Sequence, residues 1–276
     1  MNDKKTILIT GCSTGIGYTT ATQLKMRGHR VFTSARKQED VDRLIQEGFE
    51  SVRLDLADSR SIQEAIDQII VLTNGKLDAL FNNGAFGQPG AVEDLSREVL
   101  REQFETNLFG THELTNRVIP LMRQQNSGRI IYNSSVLGLV AMTYRGAYNA
   151  SKFALEGLAD TLRLELHGTG IHLSIIEPGP ILSDFRKNAF ILYKKNINIS
   201  KSFHQKTYLK METRLQKEGP AVPFTLPAEA VSEKVIHALE SKRPKLRYYV
   251  TFPTYLFAFL KRVLPISWLD ALLRKV

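Results

Sequence analysis

The apolar run Ile7-Leu8-Ile9 leads through Thr10 into Gly11-Cys12-Ser13-Thr14-Gly15-Ile16-Gly17, and a helical pattern begins at once near residue 15. No other stretch restricts the fold as much. A strand that turns on glycines into a helix opens a βαβ unit. The glycines let backbone approach an anion that the N–H groups and dipole of the helix N-terminus attract. The spacing Gly-x-x-x-Gly-x-Gly differs from the commoner Gly-x-Gly-x-x-Gly, and three glycines in a turn are also ordinary loop chemistry. The strand before and the helix after favour a pyrophosphate cradle formed by Gly11, Ser13, Thr14, Gly15, Ile16 and Gly17.

The rest of the chain follows the same rhythm. Candidate strands are Thr6–Thr10, Arg30–Ser34, Ser51–Asp55, Leu77–Asn82, Arg129–Ser134, His172–Glu177 and Tyr248–Thr251. They lack polar alternation, as strands covered on both faces should. Helical stretches fall near 15–27, 60–73, 97–123, 146–168 and 228–240. Alternation of strand and helix predicts a doubly wound, mostly parallel α/β sheet of Rossmann type. Without a repeat or linker, 276 residues read as one domain. Two segments break the rhythm, a basic insertion at about 183–226 and an aromatic, basic tail at about 248–276.

An acidic residue about 20 positions past the glycines reads the 2′-hydroxyl of a dinucleotide's ribose. Here the second strand runs into Ser34-Ala35-Arg36-Lys37, with no acid before Glu39. A guanidinium grips a 2′-phosphate that an acid would repel, which favours NADP(H). The alternative is a solvated basic pair in a loop. Asp55-Leu56 after the third strand either meets the adenine or caps the next helix.

Tyr148-Asn149-Ala150-Ser151-Lys152 places a phenol and an ammonium at i and i+4 on one helix face. A free phenol, with a pKa of about 10, exchanges protons poorly at neutral pH, and a nearby cation stabilises its ionised form. Tyr-x-x-x-Lys alone arises by chance in amphipathic helices.

Together these residues resemble the short-chain dehydrogenases/reductases over about residues 5–183, and more loosely beyond. Gly11-x-x-x-Gly15-Ile16-Gly17 is similar to that family's cofactor turn. Asn82-Asn83-Gly84-Ala85 is similar to its Asn-Asn-Ala-Gly element, with the last two residues exchanged. Asn107 matches the helical Asn of the family's tetrad, and Ser135 stands 13 residues before Tyr148, at the usual offset of its serine. Pro178-Gly179-Pro180-Ile181 resembles the segment that closes over the nicotinamide, with Ser183 where a threonine is usual. The resemblance implies hydride transfer between a nicotinamide and a carbonyl or carbinol carbon. It makes Tyr148 the general acid or base, Ser135 the oxyanion partner, Lys152 the holder of the ribose that depresses the Tyr148 pKa, and Asn107 the anchor of a proton-relay water. By the same token Asn83, Gly84, Ala85, Pro178, Gly179, Ile181 and Ser183 line the cofactor. The chain is most similar to bacterial relatives of the steroid- and retinol-type members.

Charge and composition bound the partners. The net charge of +9 is concentrated in residues 186–217, with nine basic residues and one acidic, and in 241–276, with eight and one. Phosphates and lipid headgroups suit such patches. No nucleic-acid module is present, and the six histidines show no metal spacing. One cysteine, Cys12, excludes an internal disulfide, and its place in the glycine turn calls for a small residue. The polar opening residues and the short apolar run after them lack the pattern of a cleaved signal, so the expected compartment is the cytoplasm. Arg145, three residues before Tyr148, reaches the substrate mouth or lies on the surface. The apolar residues of the insertion suit a lid over a lipophilic aldehyde, ketosteroid or retinoid, or the plain packing of a mobile segment. The tail has aromatic rings beside Lys261-Arg262. It is too short an apolar run to span a bilayer, and it suits either peripheral contact with the inner face of the membrane or packing on the body or a partner subunit. Homo-oligomers are usual in the family that the chain resembles. A catalytically idle NADP(H) sensor and a membrane-surface scaffold are the other function classes, and the intact tetrad favours the enzyme.

Overall fold

In the computed structural model, which describes residues 4–275, seven strands form one sheet in the order β3-β2-β1-β4-β5-β6-β7. They are β1 Thr6–Ile9, β2 Arg30–Ala35, β3 Glu50–Arg53, β4 Ala79–Asn82, β5 Gly128–Asn133, β6 Ile171–Glu177 and β7 Arg247–Tyr249. Every pairing is parallel. Parallel neighbours need crossovers, and helices supply them: α1 Gly15–Met26, α2 Gln38–Gln46, α3 Ser59–Thr73, α4 Arg97–Phe104, α5 Thr111–Gln124, α6 Gly146–Glu165 and α9 Glu229–Glu240.

Strand side chains explain the absence of polar alternation. In β1, Leu8 enters a core with α3, α5 and α6, while Ile7 and Ile9 enter the opposite core with α1 and α9. Ile130 and Tyr132 of β5 likewise part from Ile131. Both faces are apolar because both are covered. The strand order reverses between β1 and β4, and the crevice outside their C-terminal ends is where a doubly wound sheet takes its ligand.

Three elements depart from the expected pattern. The helix α2 stands in a segment with no helix expected, held inward by Val41 and Leu44. The helix expected at 97–123 is broken by a π turn over Glu105–Gly110. A Cβ on Gly110 would run into the Leu56 carbonyl, so α4 and α5 join where the backbone passes the loop after β3 with no room for a side chain. The basic insertion folds as α7 Phe185–Asn196 and α8 Gln205–Gln216 around Tyr193, Tyr208, Met211 and Leu215. The tail is likewise ordered. After β7, Pro253 sits in the first turn of α10 Phe252–Val263, where its missing N–H costs nothing, and α11 Ile266–Leu273 follows.

Candidate active site

The glycine turn is built by backbone proximity. Gly11 and Gly15 hold φ values of +69° and +60°, in the left-handed region. Gly17 lies inside α1, where a Cβ would collide with the Gly11 carbonyl oxygen and come within 2.7 Å of Asn83 Nδ2. The helix that follows has Thr14 at its N-cap without a side-chain cap, and no acid in its first turn. Its first N–H groups therefore lack an intrahelical or side-chain acceptor, in a cradle that a single added Cβ would fill. Those features fit a dinucleotide's pyrophosphate, held by the N–H groups of the Ser13–Gly17 turn.

The loop after β4 is tied to that turn from below. Thr10 Oγ1 accepts hydrogen bonds from Asn83 N at 2.9 Å and Gly84 N at 2.7 Å. Asn83 Nδ2 donates to the carbonyls of Thr10 and Gly11, while its Oδ1 accepts from Asn133 Nδ2 at 2.9 Å. The Asn83 side chain is thus a brace between β1, β4 and β5 rather than a free ligand. The exchanged Gly84-Ala85 order has a cause as well. A Cβ on Gly84 would lie 3.2 Å from both Leu56 Cδ1 and Thr10 Oγ1, whereas Ala85 is half-buried beyond the crossing.

The adenosine end is more open. Arg36 is exposed and has no acidic partner among the described residues. Lys37 is exposed too, and its ammonium pairs with Glu39 at 2.9 Å. Asp55 does not cap α3. Asp58 does, accepting from Arg60 N at 2.9 Å, while Asp55 Oδ1 accepts from Ala57 N at 3.0 Å. Sequence reading passed over Arg43 on α2, whose Nη2 donates to the Ser13 carbonyl at 2.6 Å and so braces the glycine turn from outside. Nothing in the motif marked it; it falls on the helix that was itself missed. Cys12 behaves as the small residue expected there: it is fully buried, its Sγ donates to the Ile9 carbonyl, and burial pushes its thiol up to about 12.

Ser135, Tyr148 and Lys152 converge beyond the ends of β4 and β5. Ser135 opens a short 3₁₀ turn, where its Oγ accepts from Leu137 N at 3.1 Å and bonds the Tyr148 phenol. Lys152 Nζ donates to the Asn133 carbonyl at 2.7 Å and lies 5.6 Å from the centre of the Tyr148 ring. Burial pulls the Lys152 ammonium down to about 8, opposed by Glu156 one turn along α6. Tyr148 moves against the sequence expectation. Burial raises its pKa and the Ser135 hydrogen bond lowers it only in part, while the Lys152 ammonium donates to the Asn133 carbonyl. Asn107 sits in the π turn, with Nδ2 donating to the Phe86 carbonyl and to Ser151 Oγ while Oδ1 accepts from Phe86 N. It joins that turn to the residue beside Lys152. A π turn at such a position is a recurrent feature of functional sites.

The roof comes from the chain after β6. Pro178 O accepts from Val136 N at 2.8 Å, and Gly179 passes so close to Thr251 that a Cβ would strike its hydroxyl. Ile181 bridges to Leu226, and Ser183 Cβ would lie 3.1 Å from a Cβ on Gly15, so this segment lies across the glycine turn. Phe185 packs edge-on against Tyr148, with ring centres 5.3 Å apart. Arg145 is not a freely exposed surface arginine. It is half-buried, its Nη1 lies 3.2 Å from Met142 Sδ, and burial together with nearby Arg214 lowers its pKa to about 10.

Behind Lys152 lies a charged cluster that the sequence reading missed. Arg247 of β7 donates to Glu156 at 2.5 Å, to Asp160 at 2.6 Å and to fully buried Glu177. Burial, reinforced by Glu156 and opposed by Arg247, holds the Glu177 carboxyl up at about 8. The signal available was the spacing of Lys152, Glu156 and Asp160, which recurs every four residues on one helix face.

A parallel doubly wound sheet with an anion cradle at its switch point, and with a Ser–Tyr–Lys group beside it, defines a nucleotide-dependent oxidoreductase. The chain belongs to the short-chain dehydrogenase family, whose profile matches residues 5–191. It is 42% identical over 271 residues to the uncharacterized oxidoreductase YbbO of Escherichia coli K12, covering 98% of this chain and 94% of that one. It is 31% identical over 262 residues to human 17-beta-hydroxysteroid dehydrogenase type 1, covering 89% and 77%. A short chain dehydrogenase/reductase from Burkholderia phymatum, solved in complex with NAD, superposes with a TM-score of 0.77 at 25% identity, over 95% of this chain and 92% of that one. The chain is thus an oxidoreductase of CH–OH or C=O groups with a nicotinamide cofactor.

Proposed function

We propose that the protein is an NADP(H)-dependent reductase of lipophilic carbonyl compounds, of the aldehyde, ketosteroid or retinoid type. The observation that carries this reading is the convergence of Ser135, Tyr148 and Lys152 under Phe185, one step from the Gly11–Gly17 cradle. Arg36 supports NADP(H) over NAD(H), being exposed and free of an acidic partner among the described residues at the end of β2. The name of the steroid-acting human relative and the apolar Phe185 beside Tyr148 support a lipophilic substrate.

Bound NADPH supplies the hydride to the carbonyl carbon. Tyr148, which burial keeps protonated, gives its proton to the carbonyl oxygen, and the Ser135 hydroxyl holds that oxygen as charge develops on it. Lys152 would hold the cofactor's ribose, and its ammonium, 5.6 Å from the centre of the Tyr148 ring, would present a positive charge to the phenolate left behind. Asn107 holds the π turn against Ser151 and keeps the Lys152 face of α6 in register for proton resupply. The segment Pro178, Gly179, Ile181 and Ser183 would close over the nicotinamide, and Asp55 and Leu56 would flank the adenine.

The test is NADPH consumption, with NADH alongside, against medium and long aldehydes, retinal and a ketosteroid. Turnover selective for NADPH is expected. Tyr148→Phe should lose at least about a hundredfold of it, the usual contribution of a positioned proton donor. Arg36→Asp should shift the NADPH to NADH ratio by about tenfold or more, the worth of a charge-assisted hydrogen bond. Undiminished turnover by Tyr148→Phe would remove the catalytic assignment, and faster turnover with NADH by the parent would remove the NADP(H) assignment.

A further inference from the structure

The helices α10 and α11 leave apolar surface uncovered. The sequence of α11 is Ile-Ser-Trp-Leu-Asp-Ala-Leu-Leu, yet none of its residues is buried. Leu269 and Leu273 rest against Phe257 and the 3₁₀ turn of Val136 and Leu137, whereas Ile266 is 79% and Trp268 66% exposed. On α10, Phe257 points inward while Tyr255 and Phe259 are more than half exposed, the latter at 61%. A helix that is apolar on its inner and outer sides is ordinarily covered all round. Single exposed apolar side chains are common, but two adjoining helices that carry them are not.

Charge selects what covers them. Lys261 and Arg262 close α10, Arg274 and Lys275 follow α11, and all four are exposed; the single acid on either helix is Asp270. A second copy meeting the same face about a two-fold axis would set these cations against their own counterparts. An anionic bilayer offers hydrocarbon to the rings and phosphate to the cations at the same depth. No described helix is long and apolar enough to cross a membrane, so the contact lies in the interface plane.

We infer that α10 and α11 form a membrane-docking face that seats Tyr255, Phe259, Ile266 and Trp268 in the interface of an anionic bilayer, with Lys261, Arg262, Arg274 and Lys275 on its headgroups. The face adjoins the site, because Phe257 shares a cluster with Val136, Leu137 and Tyr148. The inference does not rest on the catalytic reading, and its test reads partition alone.

Trp268 is the one tryptophan of the chain and lies exposed on α11, so its emission reports docking directly. The full-length protein is mixed with phosphatidylglycerol vesicles and, separately, with phosphatidylcholine vesicles. A blue shift and co-sedimentation with the first, reversed by salt, are expected. The double variant Lys261→Gln/Arg262→Gln should partition about thirtyfold more weakly, as removal of two cations near an anionic surface requires. Phe259→Ser should reduce the shift while leaving NADPH binding and the thermal midpoint unchanged, which separates a docking loss from misfolding. Absence of a shift and of pelleting with phosphatidylglycerol overturns the inference, as does equal pelleting with phosphatidylcholine. A lipid-free blue shift that grows with protein concentration, together with dimers in sedimentation, overturns it in favour of self-association.

Discussion

The two walls of the candidate site are made differently. On the cofactor side, main chain meets main chain: Gly17 against the Gly11 carbonyl, Gly11 against Gly84, Gly110 against the Leu56 carbonyl. On the substrate side, side chains meet side chains: Phe185 against Tyr148 and, behind Lys152, Arg247 among three carboxylates. Backbone crossings at van der Waals distance tolerate one residue type, while ring and charge contacts tolerate substitution with adjustment. One wall can hold an invariant ligand and the other can vary its guest.

The contrast breaks most sharply at Gly17. Gly17→Ala places a methyl group on the Gly11 carbonyl, so we expect a loss of at least about 3 kcal/mol in stability and no measurable NADPH binding. Thermal unfolding with a cofactor titration checks both, and a normal midpoint with tight binding would refute a rigid cofactor wall. Phe185→Ala should act on the other wall alone. Cofactor affinity stays, whereas kcat/KM changes by about tenfold and in opposite directions for slender and bulky carbonyls, the scale of a lost ring contact in a pocket. Equal losses for every substrate, with weakened NADPH binding, would show that the walls are not separable.

The smallest effect concerns charge. The Glu177 carboxyl titrates in the fold at about 8, above the ordinary carboxylate range. The unfolded chain therefore holds fewer protons at neutral pH, and the stabilisation present in acid is lost as the pH climbs to about 8. Glu177→Gln should flatten that pH dependence, read as a difference between urea midpoints at acidic and alkaline pH. Parallel midpoints in parent and variant would mean that Arg247 already keeps Glu177 ionised.

The same division governs what could be read from the sequence. The wall of backbone contacts needs glycines at fixed offsets, and Gly11, Gly15 and Gly17 announce both the turn and the strand and helix around it. Tyr148 and Lys152 share a helix face by spacing, and Ser135 is found through its offset from them. By contrast, the partners of Arg247 lie 91, 87 and 70 residues away, and no local pattern joins β7 to α6 and β6. The upward shift of the Tyr148 pKa was equally hidden, since it comes from burial, which no spacing within α6 registers. The π turn at Asn107 arises from a close pass of Leu56 and Gly110, which periodicity within 97–123 cannot register.

The position of Arg247 also sets an order of events during synthesis. Glu156, Asp160 and Glu177 leave the ribosome at least 70 residues ahead of the one cation that binds all three. At translation rates of about 5–20 residues per second, they wait several seconds for it. Through that interval β6 is an edge strand, and packing Glu177 beneath α6 would bury its carboxyl without the hydrogen bond that Arg247 later supplies. The half of the sheet that supports α6, and Tyr148 on it, gains this shared charge partner only once β7 is available.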